Sequence, residues 1–358
     1  MNNYIKDRLK KLRTSMQRKN YNAFLIYDRA NTIYFTGFGG TSSYTLITED
    51  KNYFITDFRY IEYAINNITG FKIIRQSNDV FEDLKKIVEK GKLKIIAIES
   101  DLPLNIFEKL KKILSKTKLI SDGNLIESLR IIKDNSEIKN IKRAAKIADK
   151  VLSRIITNVT EGITEKEVVR KIRWIADELG SEEDSFTPIV ASGPNSALPH
   201  HKSSNRKIKR GDSVIIDLGC IINSYHSDMT RTIFVKKVSK KMERIYEIVL
   251  KAQEFALKEV KAGKKCIDID KCARDIISSY SYGKYFGHGL GHGVGLEIHE
   301  PPYLNQMSKY TLKEGMIITI EPGIYISGLG GVRIEDLVLV TKEGAKILSS
   351  FPKVLRII

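Results

Sequence analysis

The chain has 358 residues, 42% of them hydrophobic and 29% charged; that balance fits an ordinary globular protein and does not indicate disorder, and the length exceeds one ordinary core, so two domains are expected. The formal net charge is +17, but the excess is spread along the chain without a basic tract or nucleic-acid motif, so a solvated lysine-rich surface is expected and no nucleic-acid partner. Three cysteines, Cys220, Cys266 and Cys272, form no CxxC pair, and the polar N-terminus has no signal-peptide core, so a reducing, cytoplasmic setting with no membrane partner is expected.

Ile5, Leu9, Leu12 and Met16 recur at helical spacing and predict a helix over 3–19. Strand-like runs follow at 23–27, 44–48, 53–56, 71–75 and 93–99, interleaved with helical patterns at 60–66, 80–90 and 104–114. This order predicts an α/β domain with a mixed sheet. Asp57-Phe58-Arg59-Tyr60 reads as a strand-to-helix junction capped by Asp57.

Ser121-Asp122-Gly123-Asn124 punctuates the pattern, and the boundary is placed between residues 1–125 and 126–358. Asp134 with Glu137 resembles a capping box opening a long helix, and Thr164 with Glu167 opens another that stops at Gly180. Two more helices are expected at about 240–261 and 268–280, with strands around 187–191, 214–235, 287–299, 316–321 and 332–340. The second domain therefore reads as α+β, helices on an antiparallel sheet.

Val214 to Leu218 is an apolar run, Asn223-Ser224 is a turn signal, and Tyr225 to Val235 reads as the returning strand of a hairpin. Counting from a two-residue loop sets Ile222 opposite Tyr225, Asp217 opposite Thr230 and Gly219 opposite Asp228. Asp217 and Asp228 then share a face as diagonal neighbours, roughly 7–8 Å apart at Cα. That span suits two carboxylates closing around cations.

Phe286-Gly287-His288-Gly289-Leu290-Gly291-His292-Gly293-Val294-Gly295 alternates glycine with larger residues. A dinucleotide loop fails because position 292 is His, and no P-loop Lys-Ser or Lys-Thr follows. In an extended segment the glycines would admit a close backbone or ligand, and His288 and His292 would share the opposite face. His299-Glu300-Pro301-Pro302 begins like a zinc-protease helix, but it lacks the second histidine and two prolines forbid a helix interior. Further on, a hairpin centred near Gly328 would set Glu321 opposite Glu335, with side chains about 4.5–5.5 Å apart. Facing carboxylates require a proton or a cation between them, so an acid/base pair and a metal site both remain open here.

Asp217, Asp228, Glu321 and Glu335 with histidine make an oxygen-rich donor set suited to Mn²⁺, Co²⁺, Fe²⁺ or Zn²⁺, with charge enough for two ions. Two such ions would bridge a water, lower its pKa and polarise a carbonyl, which points to hydrolysis.

Asp-Leu-Gly at 217–219, Ser-Asp-Met-Thr-Arg-Thr at 227–232, the histidine-glycine segment to Glu300, Glu-Pro-Gly at 321–323 and Val-Arg-Ile-Glu-Asp at 332–336 occur in that order. Together they resemble the prolidase and aminopeptidase P family of pita-bread metallopeptidases (peptidase M24). The likeness covers the second domain, and the first resembles the family's non-catalytic, creatinase-like N-terminal domain. The resemblance implies two divalent ions, manganese first and cobalt, iron or zinc as the alternatives. Asp217 would chelate one ion, His292 with Glu321 the other, and Asp228 and Glu335 would bridge them. Glu321 would also shuttle a proton to the leaving proline nitrogen. His288 and His299 match the histidines that position substrate and stabilise the oxyanion. His200 matches a pocket histidine near the scissile proline, and Arg333 the arginine that orients the site. Ser224 departs from the glycine usual before the tyrosine.

The implied substrate is a peptide with proline second, cut at the Xaa-Pro bond by an Xaa-Pro dipeptidase or aminopeptidase, and a homodimer is implied. Alternatives are a methionine aminopeptidase, a creatinase-like C–N hydrolase and a non-catalytic peptide-binding module. The full ligand set argues against the last.

Overall fold

A computed structural model describes residues 3–358 and divides the chain into two units, the first ending at Arg130 and the second running from Ile131 to Ile358. In the first, α1 (Asn3–Arg18), β1 (Ala23–Ile26), α2 (Arg29–Thr36), β2 (Ser43–Thr48), β3 (Asn52–Thr56), α3 (Ile61–Asn67), β4 (Lys72–Arg75), α4 (Val80–Lys90), β5 (Ile95–Ile98), α5 (Leu104–Ile113), β6 (Lys118–Ser121) and α6 (Asn124–Arg130) follow in order. The sheet order is β4-β3-β2-β1-β5-β6. β1–β2 and β2–β3 pair antiparallel, and the outer pairs are parallel, as a mixed sheet requires. Leu9, Leu12 and Met16 are the apolar residues that α1 buries, a stripe set by their three- and four-residue spacing.

Three features differ from the sequence reading. The short α2 was not expected, because Thr32, Ile33, Tyr34, Phe35 and Thr36 favour strands. Asp28 caps its start, Gly37 closes its end at φ 74°, and all residues from Ala30 to Thr36 are buried, so packing overrides propensity. Asp57 does not cap α3: its carboxylate accepts from Arg59 N in a turn, and the position before α3 is Tyr60 without a side-chain cap. The first unit also includes α6, five residues past the boundary at 125; Arg130 donates to Asn31 Oδ1 at 2.8 Å, tying the helix end to α2.

The second unit contains α7 (Asn135–Ile156), α8 (Glu165–Glu178), β7 (Ile189–Ser192), β8 (Ser213–Leu218), β9 (Ile221–Ile222), β10 (Tyr225–His226), β11 (Met229–Phe234), α9 (Lys240–Glu259), α10 (Cys266–Ser279), β12 (Gly291–Gly293), β13 (Glu300–Leu304), β14 (Ile317–Ile320), β15 (Gly323–Ile326), β16 (Gly330–Arg333), β17 (Asp336–Val340) and β18 (Ala345–Ile347). Capping boxes at Asp134/Glu137 and Thr164/Glu167 open α7 and α8. The α7–α8 pair packs on the β11-β8-β7 sheet through a core that includes Leu152, Ile172, Ile216 and Ile233. The α9–α10 pair buries its apolar face with strands of the β13-β12-β14-β17-β18 sheet, among them Ile318 and Val338. Both halves are thus helices on an antiparallel sheet. No helix among the described residues is long and apolar enough to cross a membrane.

The two hairpins keep the counted registers. Tyr225 pairs with Ile222 and Thr230 with Asp217; Asn223 and Ser224 make the turn with φ 50° and 65°, the left-handed pair that a two-residue hairpin loop demands. Serine at 224 therefore adopts a conformation glycine would take more cheaply. In the second hairpin Gly323 pairs with Arg333 and Ile326 with Gly330, while Ile320 pairs with Asp336. Glu321 and Glu335 fall between those pairs.

The expected strand at 287–299 shrinks to β12, with β13 starting at Glu300. The strand at 332–340 is broken at Ile334-Glu335, because Pro322 opposite has no N–H to give and Glu335 N instead donates to Thr230 O at 3.1 Å. Close backbone approach is real at the alternating glycines: a Cβ on Gly291 would overlap the Thr319 carbonyl, and one on Gly293 those of Glu300 and Pro301. Gly291→Ala should therefore destabilise the protein by about 1–3 kcal/mol, the usual range for overpacking, read as a lower urea midpoint; an unchanged midpoint would show that β12 and β14 separate without cost.

Candidate active site and metal centre

A cavity of about 440 Å³ in the second unit is lined by His200, Asp217, Asp228, His288, His292, His299, Glu321, Arg333 and Glu335, together with Phe186, Thr187, Ile189, Pro199, Tyr303 and Asn305. All nine residues singled out from the sequence line it. Asp217 lies near the end of β8 and Asp228 just before β11; His292 is the middle of β12; Glu321 and Glu335 occupy the breaks at the ends of β14 and β16. Strand ends leave side chains facing a cavity while the strand bodies stay in the core.

Asp217, Asp228, His292, Arg333 and Glu335 are buried, Glu321 and His288 are half-buried, and His200 and His299 are exposed. One donor atom each of Asp228, His292 and Glu335 lies within 4.8 Å of the others. His292 Nε2 is 3.6 Å from Asp228 Oδ2 and 3.4 Å from Glu321 Oε1. Its Nδ1 lies 3.0 Å from Gly293 O, which fixes the proton there and leaves the Nε2 lone pair aimed at the carboxylates. Its backbone N–H donates to Thr319 Oγ1, and Thr319 Oγ1 in turn donates to Glu321 Oε1 at 3.3 Å. Asp217 stands apart from the three-residue cluster: its Oδ2 accepts from Arg333 Nη2 at 2.6 Å.

Burial and like charge dominate the electrostatics. Asp228 is pushed well above the usual carboxylate range by burial and by Glu335, Asp217 and Glu321. Glu335 is raised in the same way by burial, Glu321 and Asp217, against its hydrogen bond from Thr230. Burial raises Asp217 although Arg333 opposes it. Glu321 rises to about 7, again through burial with Arg333 opposing. Burial lowers His288 and His292 to about 4, so both are neutral near pH 7. Arg333 keeps its charge despite burial, held by Tyr325, Asp217 and Glu321.

Several contributors were missed in the sequence. Arg333 Nη1 donates to Tyr325 Oη at 3.0 Å, and Tyr325 Oη lies 3.0 Å from His288 Nε2. With His288 Nδ1 on Gly289 O, the tyrosine hydroxyl donates to Nε2, and both ring nitrogens of His288 are engaged. Thr230 accepts from Arg333 Nε and donates to Glu335 Oε2. The hairpin register carried a signal for Tyr325: positions 321, 323, 325 and 331, 333, 335 share one face. His299 stacks edge-on to His292 with ring centroids 4.3 Å apart, and no hydrogen bond holds its ring among the described residues.

The donor set suits a divalent cation. Asp217 Oδ1 and Glu335 Oε1 are buried without any hydrogen-bond partner, which is costly for a carboxylate oxygen unless something else neutralises it. A lone imidazole nitrogen facing carboxylates across 3.4–3.6 Å is likewise repulsive without a cation.

Residues 139–342 match the profile of metallopeptidase family M24, and residues 8–132 that of the creatinase/prolidase N-terminal domain. The chain belongs to metallopeptidase family M24. It is 42% identical to an Xaa-Pro dipeptidase of Pyrococcus horikoshii over 96% of this chain and 97% of that one. Among solved structures, an Xaa-Pro dipeptidase from Bacillus anthracis superimposes with a TM-score of 0.96 at 38% identity, covering 99% and 100% of the two chains. An X-Pro aminopeptidase from Thermotoga maritima gives 0.91 at 36% identity, covering 96% and 100%. The architecture is accordingly a creatinase-type α/β N-terminal domain followed by the α+β pita-bread catalytic domain of M24, and the protein is a metallo-exopeptidase. M24 membership implies divalent metal ions, which the unpaired carboxylate oxygens fit.

The raised carboxyl groups set a pH dependence. Carboxyls whose folded pKa lies above the ordinary value stabilise the fold below that value and cease to as pH rises through the folded one. The histidines act oppositely, but above their ordinary 6.5 they are neutral in both states. The metal-free protein should therefore lose thermal stability as pH rises past 6.5 toward the folded value of Glu321, about 7, with Asp228 and Glu335, raised in the same direction by burial and like charge, adding to the loss. Mn²⁺ should raise Tm by an increment that grows with pH; a flat increment in calorimetry would contradict the shared buried charge.

Proposed function

We propose that the enzyme hydrolyses the Xaa-Pro bond of dipeptides, with two divalent cations held by Asp217, Asp228, His292, Glu321 and Glu335. The observation that carries this reading is the gathering of five potential ligands in one cavity with two carboxylate oxygens lacking partners; the dipeptidase names of relatives about 40% identical over nearly the whole chain support the substrate class. In the proposed arrangement Asp217 would hold one ion and His292 with Glu321 the other, and Asp228 and Glu335 would contribute to holding both. Manganese is the proposed metal, and a cytoplasmic homodimer the proposed form.

When bound, the cations lower the pKa of water and polarise the scissile carbonyl. The protein's own groups do the rest. Glu321, with a carboxyl near neutrality in the metal-free site, takes the proton of the attacking water and delivers it to the leaving proline nitrogen. His299, exposed at the cavity and free of protein hydrogen bonds among the described residues, donates to the oxygen that becomes negative. His288 positions the substrate with its ring anchored by Tyr325. His200 faces the proline side, and Arg333 orients Asp217, Tyr325 and the Pro199 carbonyl. A dedicated site is useful because proline lacks the N–H that general peptidases read.

An aminopeptidase reading also has support in the similarity to the Thermotoga maritima X-Pro aminopeptidase, and a panel of substrates separates the two. Protein reloaded with Mn²⁺, Co²⁺ or Zn²⁺ should cleave Ala-Pro in preference to Ala-Pro-Ala and leave Met-Ala-Ala intact. Faster cleavage of the tripeptide selects the aminopeptidase, and release of Met removes the proline specificity. Asp228→Asn and Glu335→Gln should each lower turnover more than about 100-fold, because each removes a proposed bridge, and should reduce metal stoichiometry; a fully active Glu335→Gln enzyme refutes the bridging role.

A further inference from the structure

Glu165, the first residue of α8, has no solvent exposure and belongs to none of the site groups described above. Its Oε1 accepts from Ser192 N at 2.8 Å, Ser192 Oγ at 2.7 Å and Asn195 Nδ2 at 3.0 Å. Its Oε2 is 2.8 Å from His201 Nε2 and accepts from Ser204 N at 2.9 Å and Ser204 Oγ at 2.7 Å. Six partners thus converge on one carboxylate. Burial opposes its charge, but the bonds from His201, Ser192 and Ser204 outweigh it and hold the carboxyl down to about 2.

The partners belong to both ends of one segment. Ser192 closes β7 and Ser204 lies twelve positions on, so Glu165 clasps at its base the stretch 193–203, which opens with a 3₁₀ turn over Gly193–Ala197. That stretch carries His200 into the cavity. His200 is exposed, and no hydrogen bond holds its ring among the described residues, so its place is set by its neighbours in the chain. On one side, the Pro199 carbonyl accepts from Arg333 Nη1 at 3.2 Å; on the other, the His201 ring meets Glu165. The clasp is itself braced: Arg206 Nη1 donates to Ser192 Oγ and pairs with Asp212 at 2.6 Å.

We propose that Glu165 is a positioning residue for the peptidase reaction, acting through His201 and the 192–204 clasp to hold His200 against the substrate. This rests on the role given to His200 under the proposed function. Charge is essential to the clasp. The backbone N–H of Ser192 meets one oxygen and that of Ser204 the other, so either orientation of a glutamine amide sets two donors face to face.

The test uses the full-length Mn²⁺-loaded protein with Ala-Pro, comparing Glu165→Gln, His200→Ala and the double variant. Each single change should lower kcat/KM by about 10- to 100-fold, the scale for misplacing a positioning group, with metal stoichiometry unchanged. The double variant should be no worse than the weaker single, since residues acting as a unit do not add. Amide hydrogen exchange should quicken over residues 193–204 in Glu165→Gln while α7 and β8 keep their protection. Losses that multiply in the double variant, or activity lost with unchanged exchange, overturn the positioning role and leave that of His200 standing. A silent His200→Ala overturns both. Should Glu165→Gln fail to fold, His201→Ala, which removes one of the six partners, must show the same non-additivity with His200→Ala, and His201→Gln, which keeps a donor, must recover activity; independent effects or no recovery overturn the proposal.

Discussion

Three buried carboxyl groups, the half-buried Glu321 and a buried neutral imidazole surround one cavity that holds a single fixed cation, Arg333, among its lining residues. Ionised together, the acids carry more negative charge than one guanidinium balances, and burial makes each unit of excess expensive. Their raised pKa values express that cost from the proton's side. Divalent cations relieve it from the other side. Metal affinity and the pH response of the metal-free fold therefore have one origin: like charges held where water cannot screen them.

Holding them there is the task of the second unit's strands. Both hairpins keep constant registers, and three of the four acids come where regular pairing stops: Asp228 in the gap between β10 and β11, Glu321 and Glu335 where Pro322 and Ile334 interrupt β14–β17 and β15–β16, while Asp217 stays paired within β8. A strand body buries its side chains in the core, whereas a break frees both side chain and backbone. Glu335 uses that freedom, its N–H reaching Thr230 O and its carboxylate the Thr230 hydroxyl.

Behind this layer lies a second one of buried polar pairs. Fully buried Arg231 donates to the Thr230 and Glu335 carbonyls and pairs with Asp336 at 2.7 Å, where Lys353 and Gln253 also converge. Lys133 pairs with Glu300 at 2.7 Å beneath the segment carrying His299. Replacing such pairs by apolar groups can be neutral or stabilising, so their value here is in fixing the backbone beside Glu335 and His299. The Glu165 clasp belongs to the same class and extends it to His200.

The sequence by itself determined the registers, and through them much of the site, because period-two alternation and turn residues are local. Asn223-Ser224 sets Asp217 against Thr230, and the Gly328 centre brings Glu321 toward Glu335. Caps at Asp134 and Thr164 were legible for the same reason. Helix α2 was not, since its residues favour strands and only burial makes them helical. The interruptions in the strands at 287–299 and 332–340, the Tyr325 link from Arg333 to His288, and the convergence of Ser192 and Ser204 on Glu165 were decided by tertiary structure alone. Each joins groups distant in the chain, and only packing determines which donor reaches which acceptor.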